Sequence, residues 1–153
     1  MFLMAGVVAT IAGAIAFVVL ARRGVRSAAV RALLALLVAG LAAGTATHAE
    51  NIARAGARPQ PGLPVFHNLF WTSLVVVDPL VAGVLLIRPR VGVWLDLGLM
   101  IVDLAVNLSS LGLIGPVVLQ LGYAVLAALA IPVVRTRVRP SEDLSCRTRR
   151  RTT

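Results

Sequence analysis

Three observations predict an all-α fold, a polytopic integral membrane helical bundle with five transmembrane helices. The chain of 153 residues is 59% hydrophobic and only 14% charged, whereas soluble domains are about 45–50% apolar and about 25% charged. Its apolar residues form runs close to the length of about 20 residues that crosses a bilayer as a helix. Its 15 basic residues, all of them arginine, lie between or beside these runs.

The apolar runs divide into five spans, and the boundary between the last two is the least distinct. Ser109 and Ser110 interrupt the apolar run there, and Pro116 suits the first turn of a helix, where its missing N–H has no partner to lose. The alternative is a four-span arrangement in which residues 91–134 form one long or re-entrant element. The five spans are expected at about residues 2–20, 29–50, 67–87, 91–108 and 115–134.

The first span resembles a secretory signal peptide only in part. Ala14 and Ala16 provide a small-x-small pattern like that of a cleavage site. However, no basic residue precedes the apolar run, and the positive charges follow it at Arg22 and Arg23. This order is typical of an uncleaved first span with its N-terminus outside.

Small residues recur every fourth position in the first two spans, which predicts a closely packed helical hairpin. Such spacing lets two helix backbones approach closely in lipid. The alternative explanation is simply a high alanine content. The second span carries two stripes, and His48 continues one of them, so we expect His48 to face a helix interface. The stripes are Ala5, Ala9 and Gly13 in the first span, and Ala35, Ala39, Ala43 and Thr47 with Gly40, Gly44 and His48 in the second.

The third span contains Asp78 followed directly by Pro79. Proline removes one backbone donor, which leaves the carbonyl of Val75 without its helical partner and predicts a kink that opens a pocket. Trp71 lies near the outer end of this span, and Trp94 lies near the inner end of the fourth. Both tryptophans fit the aromatic belt at a membrane interface, which is our main interpretation, and the alternative for Trp71 is a place among the polar side chains of the third span.

The fourth span carries the clearest polar face of the chain. Asp96, Asp103 and Asn107 are separated by seven and four residues, which places them on one side of a helix. Charged groups in the middle of a bilayer cost roughly 2.5–3.5 kcal/mol each, so this face should look into the bundle. Asp78 of the third span should meet Asp103 there, either as part of a site or as a purely structural hydrogen-bonded pair.

Polar side chains also gather at the predicted outer ends of the spans, and Gln120 and Tyr123 of the fifth span lie on that side. Four of them join the acids as candidates for binding a ligand or ion, and His48, Glu50 and His67 are weak candidates for a metal site. No HExxH motif is present, Cys146 is the only cysteine, and no motif indicates a cofactor. The candidate binding residues are Asp78, Asp96, Asp103, Asn107, His48, Glu50, His67 and Asn68.

The arginines predict the orientation of the spans. All but Arg54 and Arg58 fall on one side, and the side rich in arginine is normally cytoplasmic. This places the N-terminus outside and the C-terminus inside, which requires an odd number of spans. Residues 1–138 would form the bundle, and residues 139–153 would form a disordered, Arg-rich cytoplasmic tail. The arginines flank apolar segments instead of forming a basic patch, so nucleic acid is not expected as a partner.

The leading functional hypothesis is a buried acidic cluster that binds or passes a cation, a proton or a small ligand. The alternatives are a membrane-embedded enzyme acting on a lipid-like substrate and a helper protein that binds partner transmembrane helices through its small-residue faces. The expected partners are the lipid bilayer and either a second copy of the chain or other transmembrane helices. Arginine and alanine usage is typical of high-GC bacteria, which predicts the bacterial cytoplasmic membrane as the location.

Overall fold

The computed structural model describes residues 2–56, 58, 60, 62–111 and 115–138, and these residues form helices joined by short connections. Each of five helices is long and apolar enough to cross a membrane. The predicted disordered tail, residues 139–153, lies outside the described part of the chain. The helices are α1 (Phe2–Arg22), α2 (Ala28–Ala55), α3 (Val65–Ile87), α4 (Pro89–Leu111) and α5 (Gly115–Arg137).

The structure corrects the predicted boundary between the last two spans. Helix α4 continues through Ser109 and Ser110, because both hydroxyls donate to the carbonyl of Val106 on their own helix instead of interrupting it. Helix α4 ends at Leu111 and α5 begins at Gly115, and each is long and apolar enough to cross a membrane, so residues 91–134 do not form one long helix. Helix α2 also continues beyond the predicted end at residue 50.

Helices α2, α3, α4 and α5 pack in a ring, each against its neighbours in the chain, and α5 closes the ring against α2. Helix α1 packs almost entirely against α2 and lies outside the ring. Because the connections are short, successive helices run antiparallel. One end of the bundle therefore holds the C-termini of α1, α3 and α5 with the N-termini of α2 and α4. We call it the Arg-rich end, and the other the opposite end.

The predicted hairpin of the first two spans is confirmed. The chain turns at Gly24, whose φ of +83° lies in the left-handed region that favours glycine. The Ser27 side chain then caps α2 by accepting a hydrogen bond from the Val30 amide. The two helices approach so closely that a Cβ at Gly13 would lie 3.3 Å from the Cβ of Ala39.

Helices α3 and α4 form an equally tight hairpin at the Arg-rich end. Only Arg88 separates them, and a Cβ added to Gly92 would lie 2.5 Å from the Cα of Leu85. Beside this turn, Arg90 donates hydrogen bonds to the carbonyls of Arg135 and Val138. A cation thus compensates the otherwise unpaired carbonyls at the C-terminus of α5 and joins α4 to α5.

The interior has an apolar half and a polar half. The main apolar cluster occupies the Arg-rich half of every helix. On α2 the buried residues stop at Leu41, and from Ala42 to Ala55 none is buried. The buried polar side chains lie farther towards the opposite end. The apolar cluster consists of Ala16, Leu20, Val30, Leu34, Ala35, Leu37, Val38, Leu41, Val81, Leu85, Val93, Ala127, Ala130, Ile131 and Val134.

Candidate functional site: an acidic core inside the helical ring

Three carboxyl groups lie inside the ring of α2 to α5, and we call Asp78, Asp96 and Asp103 the acidic core. Their exposed fractions are 3%, 0% and 4%, and Asp78 is close enough to the other two to interact with them electrostatically. The one ion pair within the described ranges joins Arg54 to Glu50 on α2. The acidic core therefore has no cationic side chain to balance its charge.

Asp103 is held at both carboxylate oxygens by amide groups. The Asn107 amide nitrogen donates to Oδ1 at 2.9 Å, and the Gln120 amide nitrogen donates to Oδ2 at 2.6 Å. Asn107 also donates to the Gln120 carbonyl oxygen at 3.0 Å, which closes a three-membered network between α4 and α5. With a donor on each oxygen, this geometry suits the ionised form of the Asp103 carboxyl group.

Trp71 belongs to this network, which corrects its interpretation as an interfacial anchor. Its side chain is only 7% exposed, and its indole nitrogen donates to the Asn107 carbonyl oxygen at 3.0 Å. Trp71 packs with Leu74 and Val106 in a small apolar cluster, so it covers the acidic core at the opposite end. Trp94, by contrast, is 53% exposed near the Arg-rich end, as its interfacial interpretation requires.

Asp96 contacts the phenol of Tyr123. The hydroxyl oxygen lies 3.2 Å and 3.4 Å from the two carboxyl oxygens and only 2.6 Å from the carbonyl oxygen of Leu37. A backbone carbonyl is an acceptor only, so the single phenol hydrogen is best placed on Leu37. Asp96 then completes the contact when it carries a proton of its own and donates it to the Tyr123 oxygen.

Asp78 differs from the other two acids because its Oδ1 is buried and has no hydrogen-bond partner. The side chain lies against α2, where a Cβ at Gly44 would be 2.7 Å from its Oδ2. Asp78 lies close enough to Asp103 to interact with it electrostatically, and the alternative of a purely structural pair of these two acids stays a prediction. A buried polar oxygen without a partner is costly and calls for a ligand or a proton.

The register of the α3–α4 hairpin explains why Asp78 senses both acids of α4. Trp71 contacts Asn107, and Leu85 lies against Gly92. Interpolating between these two contacts places Asp78 level with residue 99, about midway between Asp96 and Asp103. The polar face predicted on the fourth span is confirmed as an inward face, because Asp96, Asp103 and Asn107 are all buried.

The remaining candidates from the sequence lie outside this network. His67 Nε2 is 3.3 Å from the Ser109 hydroxyl, which joins α3 to α4 near the opposite end. Asn68 is 1% exposed and bonds the backbone at Gln60 in both directions, so it fastens the α2–α3 connection to α3. Glu50 pairs with Arg54 on its own helix. His48 is half-buried on α2.

These positions do not form a metal centre. Among the described residues, no group of three or more His, Cys, Asp or Glu side chains is arranged to hold a metal ion. We therefore do not find the three-residue metal site considered for His48, Glu50 and His67. Glu50 is instead turned along its own helix towards Arg54, because residues four apart on a helix are neighbours.

Three residues that complete the site were not among the sequence candidates: Gln120, Tyr123 and Trp71. The available signal was that Gln120 and Tyr123 are polar-tipped side chains three residues apart on an otherwise apolar helix, hence on one face. Such a face in a membrane helix should point inward, as it does here. Trp71 offered no comparable signal, because a tryptophan near a span end fits an interface equally well.

Comparisons of the chain with protein-family models, with curated proteins and with solved structures find no match.

Proposed function

We propose that this protein is a small multi-pass membrane protein that binds a proton or a small cation at its acidic core. The observation that carries the proposal is the buried Asp78 Oδ1, which has no hydrogen-bond partner, beside two more carboxyl groups with no cationic side chain among them. An ionised carboxylate in an apolar interior is strongly unfavourable unless its charge is compensated. Protons or a bound cation provide that compensation.

The proposal includes an orientation in the bacterial cytoplasmic membrane, with the N-terminus outside and the C-terminus inside. The antiparallel order of the helices supports it, because the arginines at and after the C-terminal ends of α1, α3 and α5 then collect at one end of the bundle. The exposed Trp94 lies at a depth near that end, where an aromatic anchor is expected.

The geometry argues against a helper protein that binds partner transmembrane helices through the small residues of α2. Gly40 and Gly44, the small residues that would receive a partner helix, face the interior instead, against Tyr123 and Asp78. Their surface is therefore already occupied within the chain. The enzyme alternative stays a prediction, and no observation favours it over ligand binding.

The proposal is tested by measuring the thermal stability of the protein in nanodiscs across pH and across a panel of monovalent and divalent cations. Wild type is compared with Asp78→Asn and Asp103→Asn. A ligand stabilises only the state that binds it, so wild type should shift with pH or with one cation, and both variants should lose that shift.

Glu50→Gln is the matched control, because it removes an acid from an exposed pair on α2 that contributes little to stability. It should keep the wild-type response. If the wild type shows no shift under any condition, or if Asp78→Asn and Asp103→Asn respond as the wild type does, the acidic core is not a binding site.

A further inference from the structure

The acidic core is enclosed very differently towards its two ends. Towards the Arg-rich end, the main apolar cluster fills the ring over the remaining length of α3, from Val81 to Leu85 and beyond, with Leu34 and Leu37 of α2 facing it. These side chains are almost completely buried. In that half of the described bundle, Asp96 at its boundary is the only polar residue buried as a whole, and the Nε atom of Arg31 near the start of α2 is buried as well.

Towards the opposite end, the enclosure is thin. One small apolar cluster, Trp71, Leu74 and Val106, covers the core between α3 and α4. Helix α2 has no buried residue from Ala42 onward, so this half of α2 is more exposed than the half that carries the apolar cluster, although Gly44 lies directly against Asp78.

The three acids also differ in their hydrogen-bond partners, and therefore in how freely each can take up a proton. Asp103 has an amide donor on each oxygen, and Asp96 is engaged by Tyr123. Of the three, only Asp78 has a buried oxygen with no hydrogen-bond partner of either kind. The groups that face Asp78 are Asp96 and Asp103 from α4 and Tyr123 from α5.

Helices α1 and α2 bring no cation to Asp78. Helix α2 presents Gly44, and its nearest titratable group on that face is His48, one turn towards the opposite end. The only charged residue of α1 is Arg22, in its last turn at the Arg-rich end.

We propose that the acidic core takes up a proton at Asp78 from the end opposite the arginines and is closed towards the Arg-rich end. The protein then binds protons from one side and does not conduct them across the membrane. This inference rests on the proposed function and deepens it, because it selects the proton as ligand, Asp78 as the exchanging group and one face as the entrance.

The entrance is tested by cysteine labelling. Asp78→Cys is made together with Cys146→Ser, so that the introduced thiol is the only one in the chain. A charged, membrane-impermeant methanethiosulfonate reagent is applied to right-side-out and to inverted membrane vesicles. Labelling is expected from the face opposite the arginines and should be lost from the Arg-rich face. Equal labelling from both faces, or labelling from the Arg-rich face alone, overturns the inference.

Two further cysteine proteins make the labelling interpretable. The otherwise unchanged chain, whose single Cys146 follows α5, reports the Arg-rich face of each vesicle preparation. Ser109→Cys, also with Cys146→Ser, lies near the opposite end on α4 and should be labelled from that face. If Asp78→Cys does not accumulate as a folded protein, Gly44→Cys combined with Asp78→Ala takes its place, because removal of the carboxyl group makes room for a side chain at Gly44 that faces the same point from α2.

Conduction is tested separately in proteoliposomes that carry a pH gradient and an internal pH-sensitive dye. Wild-type protein should leave the decay of the gradient unchanged relative to protein-free liposomes. Faster decay that Asp78→Asn abolishes would overturn the one-sided site while leaving proton binding intact. A stability shift produced by a metal cation and not by pH would overturn the choice of the proton, again without affecting the proposed function.

Discussion

Two glycines of α2 determine how closely the side chains of Tyr123 and Asp78 approach that helix. A Cβ at Gly40 would lie 2.1 Å from a ring carbon of Tyr123, and one at Gly44 would lie 2.7 Å from Asp78 Oδ2. Contacts this short do not occur, so any side chain at either position displaces its neighbour. The stripe that contains Gly40 and Gly44 therefore makes room for Tyr123 and Asp78 and is not merely a result of alanine-rich composition.

Gly40→Ala should destabilise the bundle by about 1–3 kcal/mol, the usual cost of overpacking an interior. The Tyr123 ring must move, and its hydrogen bond to the Leu37 carbonyl would be strained or lost. Thermal unfolding in nanodiscs measures the effect.

Gly83→Ala on α3 is the control, because nothing lies within 4 Å of the added Cβ and alanine favours a helix over glycine by about 1 kcal/mol. It should be as stable as wild type or slightly more stable. Equal stability of the two variants would show that the Gly40–Tyr123 contact is not as tight as described.

Individual site residues were predictable when helical spacing alone placed them. Asp96, Asp103 and Asn107 follow that spacing, and all three face inward. Trp71 was misassigned, because a tryptophan near the end of a span satisfies either an interface or an interior hydrogen bond. Only its contact with Asn107 distinguishes the two.

The α3–α4 hairpin sets the geometry of the acidic core. Its register depends on the turn at the Arg-rich end, where Gly92 allows the backbone of α4 to pass directly against Leu85. A shift in this register would move Asp78 relative to both acids of α4. The positions of the three carboxyl groups relative to one another thus depend on Gly92, which lies at the Arg-rich end of the hairpin.

Gly92→Ala should therefore disturb both stability and the site. The added Cβ would meet the Leu85 backbone at 2.5 Å, and backbone atoms cannot rotate away as a side-chain tip can. We expect a loss of about 1–3 kcal/mol in unfolding free energy, together with a weaker response to pH or cations in the stability scan.

Gly98→Ala is the matched change on the same helix, because no atom lies within 4 Å of its added Cβ. It should retain both the stability and the ligand response of wild type. A wild-type response in Gly92→Ala would mean that the register of the hairpin does not control the acidic core.

The bundle as a whole is polarised along its axis. Arginines and the apolar cluster occupy one end, and the buried polar network lies towards the other. This arrangement agrees with the proposed orientation, because positive charge is retained on the cytoplasmic side. The proposed opening of the site towards one end rests on the same polarity.

Reporter fusions in bacteria check the orientation. Green fluorescent protein at the C-terminus should fluoresce, because that end is expected in the cytoplasm. Alkaline phosphatase inserted between Arg58 and Gly62 should be active, because that connection is expected outside. Fluorescence from green fluorescent protein inserted between Arg58 and Gly62, together with active phosphatase at the C-terminus, would indicate the opposite topology.

Composition and periodicity were sufficient to predict the number of helices, their approximate limits and the inward face of α4. These properties depend on local physics: the length of an apolar run, the flanking charges and the helical repeat. The hairpin of α1 and α2 was predictable for the same reason, because small residues recur along both helices.

The network of the acidic core was decided only by tertiary packing. The rotation and register of four helices decide which amides bond Asp103 and bring Tyr123 against Asp96. They also leave one oxygen of Asp78 without a hydrogen-bond partner. Groups on different helices that are 13 to 86 residues apart meet there, from the Asn107–Gln120 hydrogen bond to the bond of the Tyr123 hydroxyl with the Leu37 carbonyl. Helical periodicity fixes a face within one helix but contains no information about which face of another helix it will meet.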